Sequence, residues 1–381
     1  MTAVMVLGYA LVSMRLALKH TKIVLVVVML LVGISAAGQQ PIDSEATTET
    51  RALFDLLRGE MGAGLRFGHQ DVTLYGVGWK SSGPDDTERS DVASVTGSYP
   101  AVYGWDMARW PSGDLGEGSE ELYRSHIIAA HARGGINTFS WHLFNPVTGE
   151  NFYDMTPAVA AILPGGDKHE HYTQTLDRLA AFTLTLKDKD GRPIPIIFRP
   201  FHEHTGSWFW WGRDFCTTQE YVALWRFTVD YLRDEKGVHQ FLYAYSPDKV
   251  KNKEEYFERY PGDAYVDVLA LDNYIHGENP KEIEEMLVRL RLIVTEARSR
   301  GKIAALSETG LEKIITPDWF TRVILNPIKN DPIARNISYV LVWRNAHPGH
   351  FFAPYPGHAS AEDFKEFYQD PFTIFWERSI P

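Results

Sequence analysis

The chain has 381 residues, 44% of them hydrophobic, 23% charged and 13% aromatic, with 30 glycines and 21 prolines; this excludes an intrinsically disordered, collagen-like or multi-span membrane protein. Lysine and arginine number 38 against 49 aspartate and glutamate, a formal charge of −11, so no nucleic acid partner is expected, because phosphate backbones call for the opposite sign. The 11 tryptophans and 18 tyrosines exceed the needs of a core and offer flat faces for sugars or bases, while the single cysteine, Cys216, cannot form an internal disulfide.

Near the amino end, Ile23 to Val32 is an unbroken apolar run behind Arg15, Lys19 and Lys22, and the small residues Gly33-Ile34-Ser35-Ala36-Ala37-Gly38 follow it. A basic flank, a short apolar segment and a small-residue tail are the parts of an export signal, so residues 1–38 are read as a signal peptide cut near Ala37. The mature chain is then expected in the periplasm or the medium. The rival reading is a membrane anchor, but the stretch falls short of the roughly 20 apolar residues a span requires. No stable span is therefore expected in the mature protein. No cysteine closely follows the apolar run to attach a lipid.

Residues 39–63 form an N-terminal segment, and residues 64–381 are read as one domain, since no linker or repeat interrupts them. Eight β-branched or aromatic runs predict strands at Leu65–His69, Val102–Asp106, Ile136–Phe144, Ile194–His202, Phe241–Ser246, Val266–Asn273, Ile303–Glu308 and Ser338–Asn345. Between them lie stretches of helical periodicity such as Glu121–Arg133, Tyr172–Lys187, Glu220–Glu235 and Lys281–Arg300. This alternation predicts an α/β fold, a single (β/α)8 TIM barrel with extended βα loops. A doubly wound sheet is the rival, yet Gly68-His69-Gln70 after the first strand offers no glycine-rich phosphate cradle.

Barrel enzymes build their sites at the carboxyl ends of the strands, and those ends carry polar or aromatic residues throughout. Glu203 closes the fourth strand in Phe198-Arg199-Pro200-Phe201-His202-Glu203-His204, and Glu308 closes the seventh in Ala305-Leu306-Ser307-Glu308-Thr309-Gly310. Ends four and seven face each other across a barrel mouth. Two carboxyl groups there can flank one glycosidic bond, one protonating the leaving oxygen while the other attacks the anomeric carbon; a separation of about 5–5.5 Å gives retention of configuration. Four consecutive aromatics, Trp208-Phe209-Trp210-Trp211, follow Glu203. A local hydrophobic plug accounts for Phe209 and one tryptophan, whereas Trp208, with Trp343 at the eighth strand end, is read as facing a ligand.

On Arg199-Pro200-Phe201-His202-Glu203 followed by Gly206-Ser207-Trp208-Phe209-Trp210-Trp211-Gly212, on Ser307-Glu308-Thr309-Gly310, and on Trp141-His142, Asp272-Asn273-Tyr274 and Trp343-Arg344-Asn345, the sequence resembles glycoside hydrolase family 26, best known for β-mannanases. The resemblance implies a retaining β-1,4-mannan hydrolase acting on mannan or manno-oligosaccharides, with no cofactor and no metal. It implies Glu203 as acid/base and Glu308 as nucleophile. It implies that His202 positions Glu203 or a sugar hydroxyl, that Tyr274 hydrogen-bonds Glu308, and that Trp343 floors the subsite of the reacting sugar with His142 nearby. Trp208 becomes a platform on the leaving-group side and Arg344 a contact one sugar further on. A monomer is expected. Internal or end-on cutting stays open, as do a β-1,3-xylan or mixed-linkage glucan substrate and, in another class, a non-catalytic sugar-binding barrel.

Other signals are set aside. His202-Glu203-His204 lacks the four-residue spacing that puts two zinc ligands on one helical face, and on a strand Glu203 would point away from both histidines. Asn336-Ile337-Ser338 leads into a core strand, which is no place for a glycan. Ser307 lacks the Gly-x-Ser-x-Gly elbow of an esterase. The acidic run Glu278 to Glu285 suits a helix start, and His347, His350 and His358 suit pairing within their loop.

Overall fold

Eight runs rich in β-branched and aromatic residues form the parallel strands β1 (Leu65–Gln70), β2 (Val102–Asp106), β3 (Ile136–Trp141), β4 (Ile196–Pro200), β5 (Phe241–Tyr245), β6 (Val268–Asp272), β7 (Ile303–Thr309) and β8 (Tyr339–Val342). They come from a computed structural model that describes residues 39–108, 119–276 and 279–376. The expected export signal and Glu278 lie outside these residues. Each strand pairs with the next, and β8 pairs with β1 from Arg66↔Tyr339 to His69↔Val342, so the sheet closes into a barrel. The fourth strand starts later and ends earlier than its apolar run, at Pro200, and the third ends at Trp141 and not at Phe144. In both places the backbone leaves the ladder to build the rim.

Period-two alternation sorts the strand side chains. Val102, Ile136, Ile197, Leu242, Val268, Ala270, Ile303, Ala305 and Leu341 fill the barrel interior, where Leu53, Phe54 and Leu57 of the N-terminal helix α1 (Thr48–Gly59) join them from below. The intervening residues, such as Tyr103, Trp105, Phe139, Phe198 and Leu306, face outward to a larger core. That core is closed by helices including α2 (Ser119–Ala132), α3 (His169–Thr185), α4 (Thr218–Asp230) and α5 (Pro280–Arg300). Among the described residues no helix is long and apolar enough to cross a membrane.

The alternation breaks where the rim is made. Leu271 pairs with Leu306, but Asp272 pairs with Glu308, so Ser307 is an extra residue in a β-bulge. Strict alternation would turn Glu308 outward after inward Ser307; the bulge turns both toward the mouth. Just past β4, Phe201 and Glu203 have φ of 47° and 54°, and Asp71 beyond β1 has 52°. Left-handed backbone at non-glycine residues costs of order 1–3 kcal/mol each and concentrates at functional sites. Here it sends Phe201 out to pack on Trp141, Trp210 and Trp225.

Candidate active site

Glu308 is buried on the β7 end and both its oxygens accept hydrogen bonds: Oε1 from the Tyr274 hydroxyl at 2.7 Å and Oε2 from Arg199 Nη2 at 2.6 Å. Arg199 comes from β4, and its Nη1 donates to Asp272 Oδ2 at 2.6 Å. Asp272 accepts further bonds from Ser246 at 2.9 Å and Ser307 at 2.7 Å. Burial works against the Arg199 charge, but Asp272 and Glu308 outweigh it and hold the guanidinium more firmly protonated than usual. A carboxyl group whose two oxygens both accept, one of them from a guanidinium, is fixed in orientation.

Glu203 sits in the opposite environment. Its left-handed backbone is pinned by its N–H, which donates to the Ser246 carbonyl at 2.8 Å, and its side chain is aimed into the mouth with one neutral donor, Trp208 Nε1, at 2.7 Å from Oε2. Burial raises its pKa well above the usual carboxyl range, and the charges of Glu308, Asp272 and Asp248 raise it further, against the Trp208 hydrogen bond. Two carboxyl groups at one barrel mouth thus have unlike environments: Glu203 is buried with a single neutral donor, whereas Glu308 is held by a guanidinium and a phenol.

Beside this pair, His142 links three groups. Its Nδ1 lies 3.1 Å from Asp106 Oδ2, its Nε2 lies 3.1 Å from His202 Nε2, and its ring meets Trp343 edge-on at 5.4 Å. Burial and the nearby Arg199, His142 and His204 push the His202 pKa well below normal, so that ring is neutral. His202 therefore approaches His142, with no bond to Glu203. His204, far from sharing a face with it, is buried between Tyr221 and Tyr245 at 4.4 and 4.9 Å. Beyond Trp343, Arg344 lines a cavity of about 300 Å³ with Asp71, Tyr75, Lys80, Asp106 and Tyr123. Tyr75 bonds Asp71 and receives Arg344 Nη1 at 3.4 Å, while burial and the neighbouring Asp106 push the Asp71 carboxyl up to about 7.

The profile of glycosyl hydrolase family 26 matches residues 42–347. The chain belongs to this family. It is 37% identical over 351 residues to a mannan endo-1,4-beta-mannosidase of Bifidobacterium adolescentis, a match covering 85% of this chain but about a third (34%) of that longer protein. Among solved structures it resembles a GH26 beta-mannanase from Bacteroides ovatus, with 43% identity, TM-score 0.81 and coverage of 87% of this chain and 96% of that one. A modular endo-beta-1,4-mannanase from Cellulomonas fimi is 40% identical with TM-score 0.82, covering 89% and 80% of the two chains.

In this family 26 barrel the eight singled-out residues, Glu203, Glu308, His142, His202, Trp208, Tyr274, Trp343 and Arg344, all lie at or just beyond carboxyl ends of strands. The aromatic run needs one correction: Phe209, Trp210 and Trp211 are all buried, so the plug takes both later tryptophans. Trp210 Nε1 donates to the Leu143 carbonyl and Trp211 Nε1 to the His202 carbonyl, each at 2.8 Å, and these anchors set the loop. Trp208 alone of the four is exposed, at 37%. Its indole lies across Gly206, where a Cβ would come within 2.2 Å of the ring, so the glycine is required by close approach. Sequence reasoning missed Arg199, Asp71 and Tyr75. Arg199 left a trace, a lone cation inside an apolar strand, which in a barrel interior demands a buried acid.

Proposed function

We propose that this chain is a retaining β-1,4-mannan hydrolase. The observation that carries the reading is the divided environment of Glu203 and Glu308, one protonated by burial, the other held by a guanidinium and a phenol. Glu308 attacks the anomeric carbon while Glu203 passes its proton to the departing oxygen; Glu203, now a base, then takes a proton from the water that releases the covalent sugar. Trp343 offers the apolar floor under the reacting ring, and His142 with the neutral His202 offers hydrogen-bonding ring nitrogens to its hydroxyls. The choice of mannan rests on the relatives, both in name and in the share of this chain they match. Residues 1–38 support action outside the cytoplasm.

The test is a panel of β-mannan, mixed-linkage glucan and β-1,3-xylan, with products followed by proton NMR and chromatography. Mannan is expected to be cut first, the new reducing end to appear as the β-anomer before mutarotation, and mannohexaose to give a spread of sizes from the outset. An α-anomer appearing first would refute retention. Uniform disaccharide from the start would instead mean end-on action.

The Trp208 hydrogen bond gives a sign that can be checked. The acid must be protonated to work, so activity falls as pH rises through the Glu203 pKa. The indole N–H favours the ionised carboxylate, and Trp208→Phe removes that donor while keeping a ring. The alkaline limb of the kcat/KM profile is expected to move to higher pH in this variant. A limb that stays or moves down contradicts the assignment of that limb to Glu203.

A further inference from the structure

Among the described residues only two aromatic side chains are exposed, Trp208 at 37% and Tyr153 at 60%. Both rest on one buried ring. Phe209 stacks on Tyr153 with centroids 5.6 Å apart and planes at 28°, and meets Trp208 edge-on at 6.2 Å. The same Phe209 touches His142 at 5.3 Å and His202 at 5.4 Å, so Tyr153 stands over the wall of the mouth that bears Glu203. Its neighbour Phe152 contacts His142 at 4.6 Å.

The loop that carries Tyr153 is built to hold it. Asn145 is fully buried at its base; its Nδ2 donates to the carbonyls of Asp154 and Thr156 at 3.0 and 2.8 Å, and its Oδ1 accepts from the Val147 N–H at 3.0 Å. Asn151 Oδ1 accepts from the Tyr153 N–H at 2.9 Å. The ring packs one face on Phe209 and Phe152 and leaves 60% of the residue open to solvent. Pre-ordered in this way, it can meet a ligand without the cost of arresting a mobile side chain.

We propose that Tyr153 is a specificity-determining contact, a second aromatic face that, with Trp208, holds the sugars on the departing side of the cleaved bond. The side follows from the company it keeps: Trp208, which hydrogen-bonds Glu203, rests on the same Phe209, and among the charged groups of the mouth Glu203 acts on Tyr153 more strongly than Arg344 or Glu308. The ligand is a chain of equatorially linked hexoses whose C–H faces match the two rings. This inference rests on the mannan reading above.

The test compares mannohexaose, which presents sugars to both rings, with β-mannobiosyl fluoride, whose leaving group has no ring to stack. For Tyr153→Ala the ratio of kcat/KM on the hexaose to that on the fluoride is expected to fall about tenfold, with the change carried by KM. Tyr153→Phe, which keeps the ring, is expected to restore most of the ratio. A ratio equal to that of the wild type in Tyr153→Ala, or equal damage on both substrates, overturns the proposal; so does a Tyr153→Phe ratio as low as that of alanine. A wild-type enzyme inert on every mannan overturns the underlying reading, an outcome distinct from an active wild type with an indifferent Tyr153.

Discussion

Glu203→Ala is expected to slow hydrolysis of mannan by about 10²–10⁴-fold, the usual worth of a positioned proton donor. The loss should be far smaller for the first step of an aryl glycoside with a good leaving group, because such a group departs without a proton. With that substrate the covalent sugar should accumulate, since the base for the second step is gone, and a burst of aryl alcohol followed by a slow phase is the signature. Glu308→Ala behaves differently. It should abolish the burst on every substrate, because no covalent bond can form, and a 2-fluoro sugar that labels the wild type should leave this variant unlabelled. Labelling of another side chain, or an equal loss on polymer and activated glycoside in Glu203→Ala, would falsify the division of roles. The physical basis is the contrast already described: one carboxyl group is crowded by burial and by Glu308, and the other is fed by Arg199 and Tyr274.

Arg199→Met should cost both stability and catalysis. The residue is 2% exposed, and its guanidinium joins two buried carboxyl groups, Asp272 and Glu308, at 2.6 Å each. Breaking a buried pair by removing one partner costs about 3–5 kcal/mol, because the remaining charge is stranded in a medium that solvates it poorly. Thermal or denaturant unfolding should report a loss of that size. Adding Asp272→Asn to Arg199→Met should recover part of the stability, since one stranded acid is then neutral, without restoring turnover, because Glu308 Oε2 still lacks its donor. Recovery of activity in the double variant would show that Arg199 serves Asp272 alone. Stability unchanged in Arg199→Met would mean that water or a rearranged side chain replaces the guanidinium at no cost.

Much of this molecule can be read from its residues alone. The eight strands follow from short β-branched and aromatic runs with polar ends, and the helices from apolar residues three and four apart, since both periods are local properties of the chain. Asp106, Glu203, Asp272 and Glu308 stand at or just past strand ends in the sequence and at the barrel mouth in space. Tyr153, by contrast, left no signal: in a polar loop of Asn, Asp and Thr, an exposed ring and a buried one look the same until the partner ring Phe209 is placed.

The primary structure by itself determined the class of fold, which strand ends carry polar and aromatic side chains, and the candidate pair Glu203 and Glu308. Only the tertiary structure decided which way those side chains face and what meets them. A strict two-residue alternation would turn Glu308 outward, and the bulge at Ser307 reverses this through pairing with a neighbouring strand. Left-handed turns at Phe201 and Glu203 do the same at β4. The partners of Arg199 lie 73 and 109 residues away along the chain. Alternation is set by adjacent dihedrals and is therefore legible locally, whereas a bulge, a strained turn and a buried ion pair are paid for by contacts that exist only once distant strands have met.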